Sequence, residues 1–118
     1  PVPLHWRRLW HRGFNQSELL CHRLRRACPA LAAVPVEHRL VRRQRATAPQ
    51  SGLTAAHRAG NLRRAFTVQG ACANLRIAIV DDVLTTGATA AALADALREA
   101  GAGHVEVWCL ARTPAPGE

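Results

Sequence analysis

Apolar residues are distributed along this chain in short runs that alternate with helical repeats. The strongest run, residues 75–80, is almost continuously apolar and predicts a buried central strand. Residues 104–111 alternate apolar and polar side chains, which predicts a last strand. Weaker strand signals lie at residues 2–4, 36–41 and 65–68. The pattern therefore predicts several short strands around one central strand.

Helical patterns separate these strands. The first helix begins at Asn15, a predicted N-cap with Glu18 as its capping-box partner, and Pro29 ends it. The next helix has one apolar face and ends at Gly101. That face consists of Ala90, Leu93, Leu97 and Ala100. A third, short helix is predicted at residues 53–59. Strands interleaved with helices predict an α/β fold, a mostly parallel central sheet flanked by helices, with ligands at the carboxyl ends of its strands.

Side chains suited to chemistry follow the central strand directly. Residues 77–89 read IAIVDDVLTTGAT, so two carboxylates are expected where the strand ends, before a loop of hydroxyls and glycine that leads into a helix. Amides at a helix start bind phosphate, and carboxylates accept hydrogen bonds from ribose hydroxyls or from the water shell of Mg²⁺. Taken alone, an Asp-Asp pair would more simply cap a helix or meet solvent. Strand, acid pair, loop and helix in this order favour a sugar-phosphate site.

Charge is distributed unevenly over the 118 residues, a length typical of one domain. The net charge is +8. Lysine is absent, so the 16 residues counted as lysine or arginine are all arginines. Residues 1–64 contain 13 arginines and two acids, whereas residues 65–118 contain three arginines and six acids. A basic half beside an acidic strand end suits a polyanionic substrate that carries a ribose, and the basic half suits nucleic acid equally well.

The cysteines and histidines predict no further site. The four cysteines have no C-x-x-C spacing, and three of them lie in or beside apolar segments, which favours buried free thiols. Those three are Cys21, Cys72 and Cys109. The six histidines show no metal-ligand spacing, which favours surface or core roles. No segment has transmembrane length and no signal-peptide pattern opens the chain, so a cytoplasmic protein without membrane insertion is expected.

Residues 77–89 resemble the phosphoribosyl-pyrophosphate (PRPP) signature of type I phosphoribosyltransferases. The resemblance implies that Asp81 and Asp82 bind the ribose 2′- and 3′-hydroxyls and act in catalysis. It also implies that Mg²⁺ lies near them, held by substrate and water without a direct protein ligand. The 5′-phosphate is assigned to the loop that follows. The residues of that loop are Thr85, Thr86, Gly87, Ala88 and Thr89.

Two further segments resemble a narrower family. Residues 12–20 read RGFNQSELL, which is similar to the Arg-Gly-Phe-Asn-Gln motif of the ComF/GntX family of competence-associated phosphoribosyltransferase-like proteins. Residues 43–66 are similar to a second motif of that family, R-x-x-x-x-x-Q-x-x-L-x-x-x-x-R-x-x-N-x-x-x-A-F. The resemblance implies a type I phosphoribosyltransferase fold over residues 1–118. It also implies an N-terminal truncation, since these proteins usually begin with a cysteine-rich, zinc-binding segment.

The same resemblance assigns the basic residues. The loop after the first strand would bind pyrophosphate through Arg8, Arg12 and Gly13. Residues 42–52 correspond to a flexible catalytic loop that would close over PRPP and bring Arg43 or Arg45 to the leaving pyrophosphate. The alternatives are a solvated basic turn for the first segment and a plain surface loop for the second.

The implied activity is Mg²⁺-dependent transfer of a phosphoribosyl group from PRPP to an unknown acceptor, with release of pyrophosphate. Its setting would be competence, DNA uptake or nucleotide salvage. No residue clearly reads a base edge, so the alternative is a non-catalytic protein that senses PRPP or handles single-stranded DNA. The expected partners are PRPP and, beyond it, single-stranded DNA, the competence machinery or a second copy of the chain.

Overall fold

The structure is a computed structural model that describes residues 1–3, 14–44 and 65–114. The elements in chain order are α1 (Gln16–Ala27), a 3-10 turn (Pro29–Leu31), β1 (Val41–Arg43), β2 (Phe66–Val68), β3 (Arg76–Leu84), α2 (Ala88–Glu99) and β4 (His104–Arg112). The short helix predicted at residues 53–59 lies outside the described residues.

The described strands form two separate two-stranded sheets. In one sheet β3 and β4 are parallel, and α2 is the crossover that joins them. In the other sheet β1 and β2 are antiparallel, with Val41 opposite Val68 and Arg43 opposite Phe66. The predicted α/β class is confirmed, and the described residues contain one parallel ladder rather than the larger parallel sheet expected.

The core lies where α2 packs against β2, β3 and β4. Leu93 and Leu97 of α2 are 3% and 2% exposed, and they belong to the same buried cluster as Ile79 and Phe66. Burial of one such side chain stabilises the fold by roughly 1.5–3 kcal/mol. Because α2 is anchored on β3 in this way, the loop that joins the two elements is held at both ends. The predicted apolar face is confirmed at Ala90, Leu93 and Leu97, which are buried, whereas Ala100 is the exposed C-cap. The predicted ending of this helix at Gly101 (φ 101°) is confirmed.

The start of α1 is fastened to β3 through the N-terminal residues. The Asn15 side-chain oxygen accepts hydrogen bonds from the amides of Ser17 (3.0 Å) and Glu18 (3.4 Å), which confirms Asn15 as the N-cap. The Asn15 amide nitrogen donates to the carbonyl of Val2 (3.0 Å), and the Val2 amide donates to the carbonyl of Val80 (2.9 Å). The cap thus joins the first turn of α1 to the middle of β3.

Two predicted strand boundaries are wrong. The strand predicted at residues 36–41 instead covers Val41–Arg43, because the ladder with β2 uses those residues. Arg42 and Arg43, predicted to begin the catalytic loop, therefore lie in a strand. The central strand continues past Val80 to Leu84, because its ladder with β4 extends to Arg112. The two carboxylates consequently lie within the strand and not beyond its end.

The last predicted strand is confirmed as β4, but its side chains are more exposed than expected. Trp108 is 39% and Leu110 is 74% exposed. All four cysteines are free; Cys21 and Cys72 are buried as predicted, whereas Cys109 is exposed, as are most side chains of β4. Within the described ranges, neither helix combines the length and the apolar character needed to cross a membrane.

Candidate functional site

The acid pair lies near the carboxyl end of β3, beside the start of α1. The Asp81 Oδ1 atom accepts a hydrogen bond from the Ser17 hydroxyl (3.3 Å) and another from the Asp82 amide (2.9 Å). The Asp82 Oδ1 atom accepts one from the Val83 amide (2.8 Å). Both acidic residues are half-buried, so each keeps one side open to solvent. The pair is therefore fixed by backbone donors while remaining accessible to a ligand.

Electrostatics make this pair receptive to a cation or to hydroxyl donors. Burial raises the pKa of Asp81 above its usual value, and the neighbouring Asp82 carboxyl raises that pKa further. The Asp82 amide and the Ser17 hydroxyl act in the opposite direction, because they donate to the ionised form. Two adjacent carboxylates at a partly buried position repel each other, and a bound cation would relieve that repulsion.

The loop after β3 brings three threonines to the start of α2. Gly87 is the N-cap of α2 and has a left-handed conformation, φ 80°, that a residue with a Cβ rarely adopts. Its side-chain position is open, with no atom within 4 Å of a Cβ built there. Thr85 and Thr86 are exposed, and Thr89 is half-buried in the first turn of α2. The loop surface beside Gly87 is therefore open and is not packed against the core.

Most amides of this loop are available to an anion. The Ala88 amide donates to the Thr86 hydroxyl at 3.2 Å, so that donor is already used. Within the part of the chain that the structure describes, the amides of Thr86, Gly87 and Thr89 have no hydrogen-bond partner. The helix start adds its positive dipole end at the same place. The predicted phosphate loop therefore retains three of the four amide donors expected of it.

The basic residues assigned from the sequence are described only in part. Arg8, Arg12, Gly13 and Arg45 lie outside the described residues. Arg43 is half-buried on β1, where its guanidinium carbon lies 5.6 Å from the centre of the Phe66 ring. Arg43 thus packs against Phe66 on the β1–β2 sheet. This position in a strand differs from the loop position expected for this arginine.

Ser17 is a site residue that the sequence analysis missed. It is 5% exposed, on the first turn of α1, and its hydroxyl reaches Asp81 across 64 positions of sequence. The segment RGFNQSELL contains the only available signal, a serine two positions after the capping residue, and that signal is equally typical of an ordinary helix start.

A cavity of about 390 Å³ is separate from this site. It is lined mainly by apolar side chains between α1 and β3, among them Cys21, Leu40, Ile77 and Trp108. Neither acid of the pair and no residue of the threonine loop contributes to its wall. The acid pair and the loop instead form an open site at the surface.

Known proteins similar to this chain have names connected with DNA uptake and use. The chain is 46% identical over 112 residues to the DNA utilization protein YhgH of Escherichia coli strain K12 and of Salmonella typhi. It is 39% identical over 115 residues to competence protein F of Haemophilus influenzae. Each match covers 95% of this chain and 48% of the relative. These matches support membership of the ComF family.

The similarity to these relatives extends over the candidate site, because a match over 95% of the chain includes residues 81–89. The chain spans about half the length of these relatives. No family model and no solved structure matches the chain. The site geometry therefore comes from this chain alone, and the relatives contribute the family and its association with competence.

Proposed function

We propose that this ComF-family domain has a type I phosphoribosyltransferase fold and binds PRPP at the carboxyl end of β3. In this proposal the domain transfers the phosphoribosyl group to a nitrogenous acceptor during competence-associated use of DNA. One observation supports it above the others: β3 runs through Asp81 and Asp82 into a loop whose amides are open at the start of α2. Acceptors for ribose hydroxyls and donors for a phosphate are adjacent, as a sugar phosphate requires.

The donor end of the site suits the 5′-phosphate. The amides of Thr86, Gly87 and Thr89 would bind the phosphate oxygens together with threonine hydroxyls. The left-handed Gly87 allows the backbone itself to approach the ligand. A dianion is favoured here because the loop contains no carboxylate and lies at the positive end of α2.

The acceptor end of the site suits the ribose and a hard cation. The carboxylates of Asp81 and Asp82 are fixed by amide donors and remain half-open, so they can accept hydrogen bonds from vicinal hydroxyls. Their oxygen atoms fit Mg²⁺, which prefers oxygen ligands and keeps much of its water shell. A bound Mg²⁺ would supply charge neutralisation for the leaving pyrophosphate.

The protein's part in the reaction would be orientation and electrostatics. The bond between the anomeric carbon and pyrophosphate breaks as the acceptor nitrogen attacks, so no covalent protein nucleophile is required. Asp81 and Asp82 would hold the sugar ring and lie near its developing positive charge, while the loop would fix the phosphate. Ser17 would keep the Asp81 carboxylate in position. Arginines of the basic half, with Arg12 foremost, would bind pyrophosphate.

A second candidate function is the handling of single-stranded DNA without turnover. The names of the relatives, DNA utilization protein and competence protein F, favour it. So do the 13 arginines among residues 1–64, because neutralising phosphates releases counterions and gives sequence-independent affinity. PRPP would then be a signal that the domain senses.

Competition between the two ligands tests both candidates. The chain is titrated with PRPP and Mg²⁺ by calorimetry, then with single-stranded DNA at several salt concentrations, and released pyrophosphate is measured with a panel of bases and nucleotides. We expect PRPP to bind and DNA to bind weakly with a steep salt dependence. DNA binding that persists at saturating PRPP, with no affinity for PRPP, would reverse the ranking.

A further inference from the structure

Two histidines and a glutamate that the proposed PRPP site does not use meet at the surface of α1. The His38 Nδ1 atom lies 3.1 Å from the Glu18 Oε1 atom, and the His22 Nε2 atom lies 3.9 Å from the same oxygen. The two imidazole rings are stacked, with centres 5.5 Å apart. One ligand-capable atom from each residue lies within 4.8 Å of the other two.

Two segments of the chain contribute the residues of this cluster. Glu18 and His22 are four positions apart on α1, so both side chains lie on the same face of the helix. His38 comes from the segment that leads into β1, and the carbonyl of Leu40 in that segment accepts a hydrogen bond from the Gln69 amide (2.7 Å). The Glu18 carboxylate, predicted to complete the capping box, instead faces the two imidazoles.

The distances suit a small cation. A tetrahedral ion with nitrogen and oxygen ligands at about 2.0–2.1 Å places those ligands about 3.3 Å apart. The Glu18–His38 separation of 3.1 Å is already close to that value, and rotation of the half-exposed His22 side chain would shorten its 3.9 Å separation from Glu18.

We propose that Glu18, His22 and His38 form a binding site for one divalent transition-metal ion of the zinc class. Two imidazoles and one carboxylate are ligands that Zn²⁺, Co²⁺ or Ni²⁺ prefer, whereas Mg²⁺ prefers oxygen atoms alone. Three protein ligands leave the fourth position to water. The bound ion joins α1 to the segment entering β1, so it stabilises the helix whose first turn also contains Ser17, the residue that contacts Asp81.

The chain contains a matched control for this cluster. His104 Nε2 lies 3.5 Å from Glu106 Oε2 on β4, and that histidine is exposed to a similar extent as His22. This pair belongs to no cluster of three metal-ligating side chains within the described ranges. His104→Ala therefore removes an exposed histidine–glutamate contact without removing a proposed ligand.

Zinc binding by calorimetry is the direct test. We expect about one Zn²⁺ to bind per full chain, with an affinity reduced at least about tenfold by His22→Ala, by His38→Ala and by Glu18→Gln, and unchanged by His104→Ala. Tm should rise with Zn²⁺ in the parent chain and not in the His38→Ala variant. Circular dichroism without metal checks folding, which should be retained because both histidine side chains are about half-exposed.

The Co²⁺-substituted chain separates this site from the thiols. The expected visible spectrum has d–d bands for nitrogen and oxygen ligands and lacks a thiolate charge-transfer band. Those d–d bands should disappear in the His22→Ala variant. A thiolate band, unchanged Zn²⁺ affinity in the two histidine variants, or equal loss in His104→Ala would overturn the proposal.

Discussion

Residues 76–112 and residues 14–44 contribute to the candidate sites in different ways. In the first region Asp81, Asp82 and the threonine loop lie within nine successive positions, 81–89, so the chain order alone brings them together. In the second region Glu18 and His38 are 20 positions apart, and tertiary packing brings them within 3.1 Å. A site built from neighbouring residues can therefore be predicted as a motif, whereas a site assembled from separate elements has no characteristic spacing in the sequence.

Removing both carboxylates of the contiguous site should give the largest effect. We expect Asp81→Asn with Asp82→Asn to weaken Mg²⁺-dependent PRPP binding at least about tenfold, because each carboxylate loses charge-assisted hydrogen bonds to the ribose. Calorimetry with PRPP measures the change. Asp95→Asn is the matched control, since Asp95 is exposed on α2 and pairs with Arg98 (3.5 Å). Equal affinities in the double variant and the parent would remove the ribose role.

Substitution of Gly87 in the loop should have the next largest effect. Gly87→Ala forces a side chain into a left-handed conformation and should destabilise the fold by about 1 kcal/mol while weakening phosphate binding. Gly87→Asn should lose less stability, because asparagine tolerates that conformation better. Urea unfolding and phosphate titration measure both. If the two variants lose stability equally, the strain at Gly87 is not the cause.

Ser17→Ala tests whether the two regions cooperate. Loss of the hydroxyl removes a donor to the ionised Asp81, so the pKa of Asp81 should rise further and PRPP binding should weaken by about 1 kcal/mol, several-fold in affinity. Carboxyl chemical shifts followed over pH report the pKa directly. Ser17→Thr keeps the hydroxyl and should retain most of the affinity. An unchanged Asp81 titration in Ser17→Ala would show that the contact does not position this carboxylate.

The smallest expected effect is on stability. The pKa of Asp81 is raised in the folded state, so the fold binds that proton more tightly than the unfolded chain does, and ionisation destabilises the fold. The contribution of Asp81 to the free energy of unfolding is therefore most favourable below its pKa in the unfolded chain, about 3.9. It is lost as the pH rises through the higher pKa of the folded state. Asp81→Asn should therefore be more stable than the parent at neutral pH, by up to about 1 kcal/mol because solvent screens the half-buried pair.

Urea unfolding at neutral pH and near pH 3 measures this difference. The gain should shrink at the lower pH, where the parent carboxyl is protonated. A gain of the same size at both pH values would point to packing and not to charge.

How much of the site could be read from the chain depends on which interactions form it. The acid pair, the loop and the Asn15 cap were predicted because each depends on neighbours in sequence. The extension of β3 to Leu84 was not predicted, because the length of a strand in a ladder is set by its partner strand. The contact of Ser17 with Asp81 and the meeting of His22 with His38 depend on where α1 packs, which no local pattern specifies.

The central claim is that PRPP binds where β3 meets α2. An amide chemical-shift titration of the labelled chain with PRPP and Mg²⁺ tests it most directly, because each loop amide is observed separately. We predict the largest shifts at the amides of Thr86, Gly87 and Thr89, with smaller shifts at Asp81 and Asp82. Saturable shifts confined to other residues, with these amides unmoved, would contradict the proposed site.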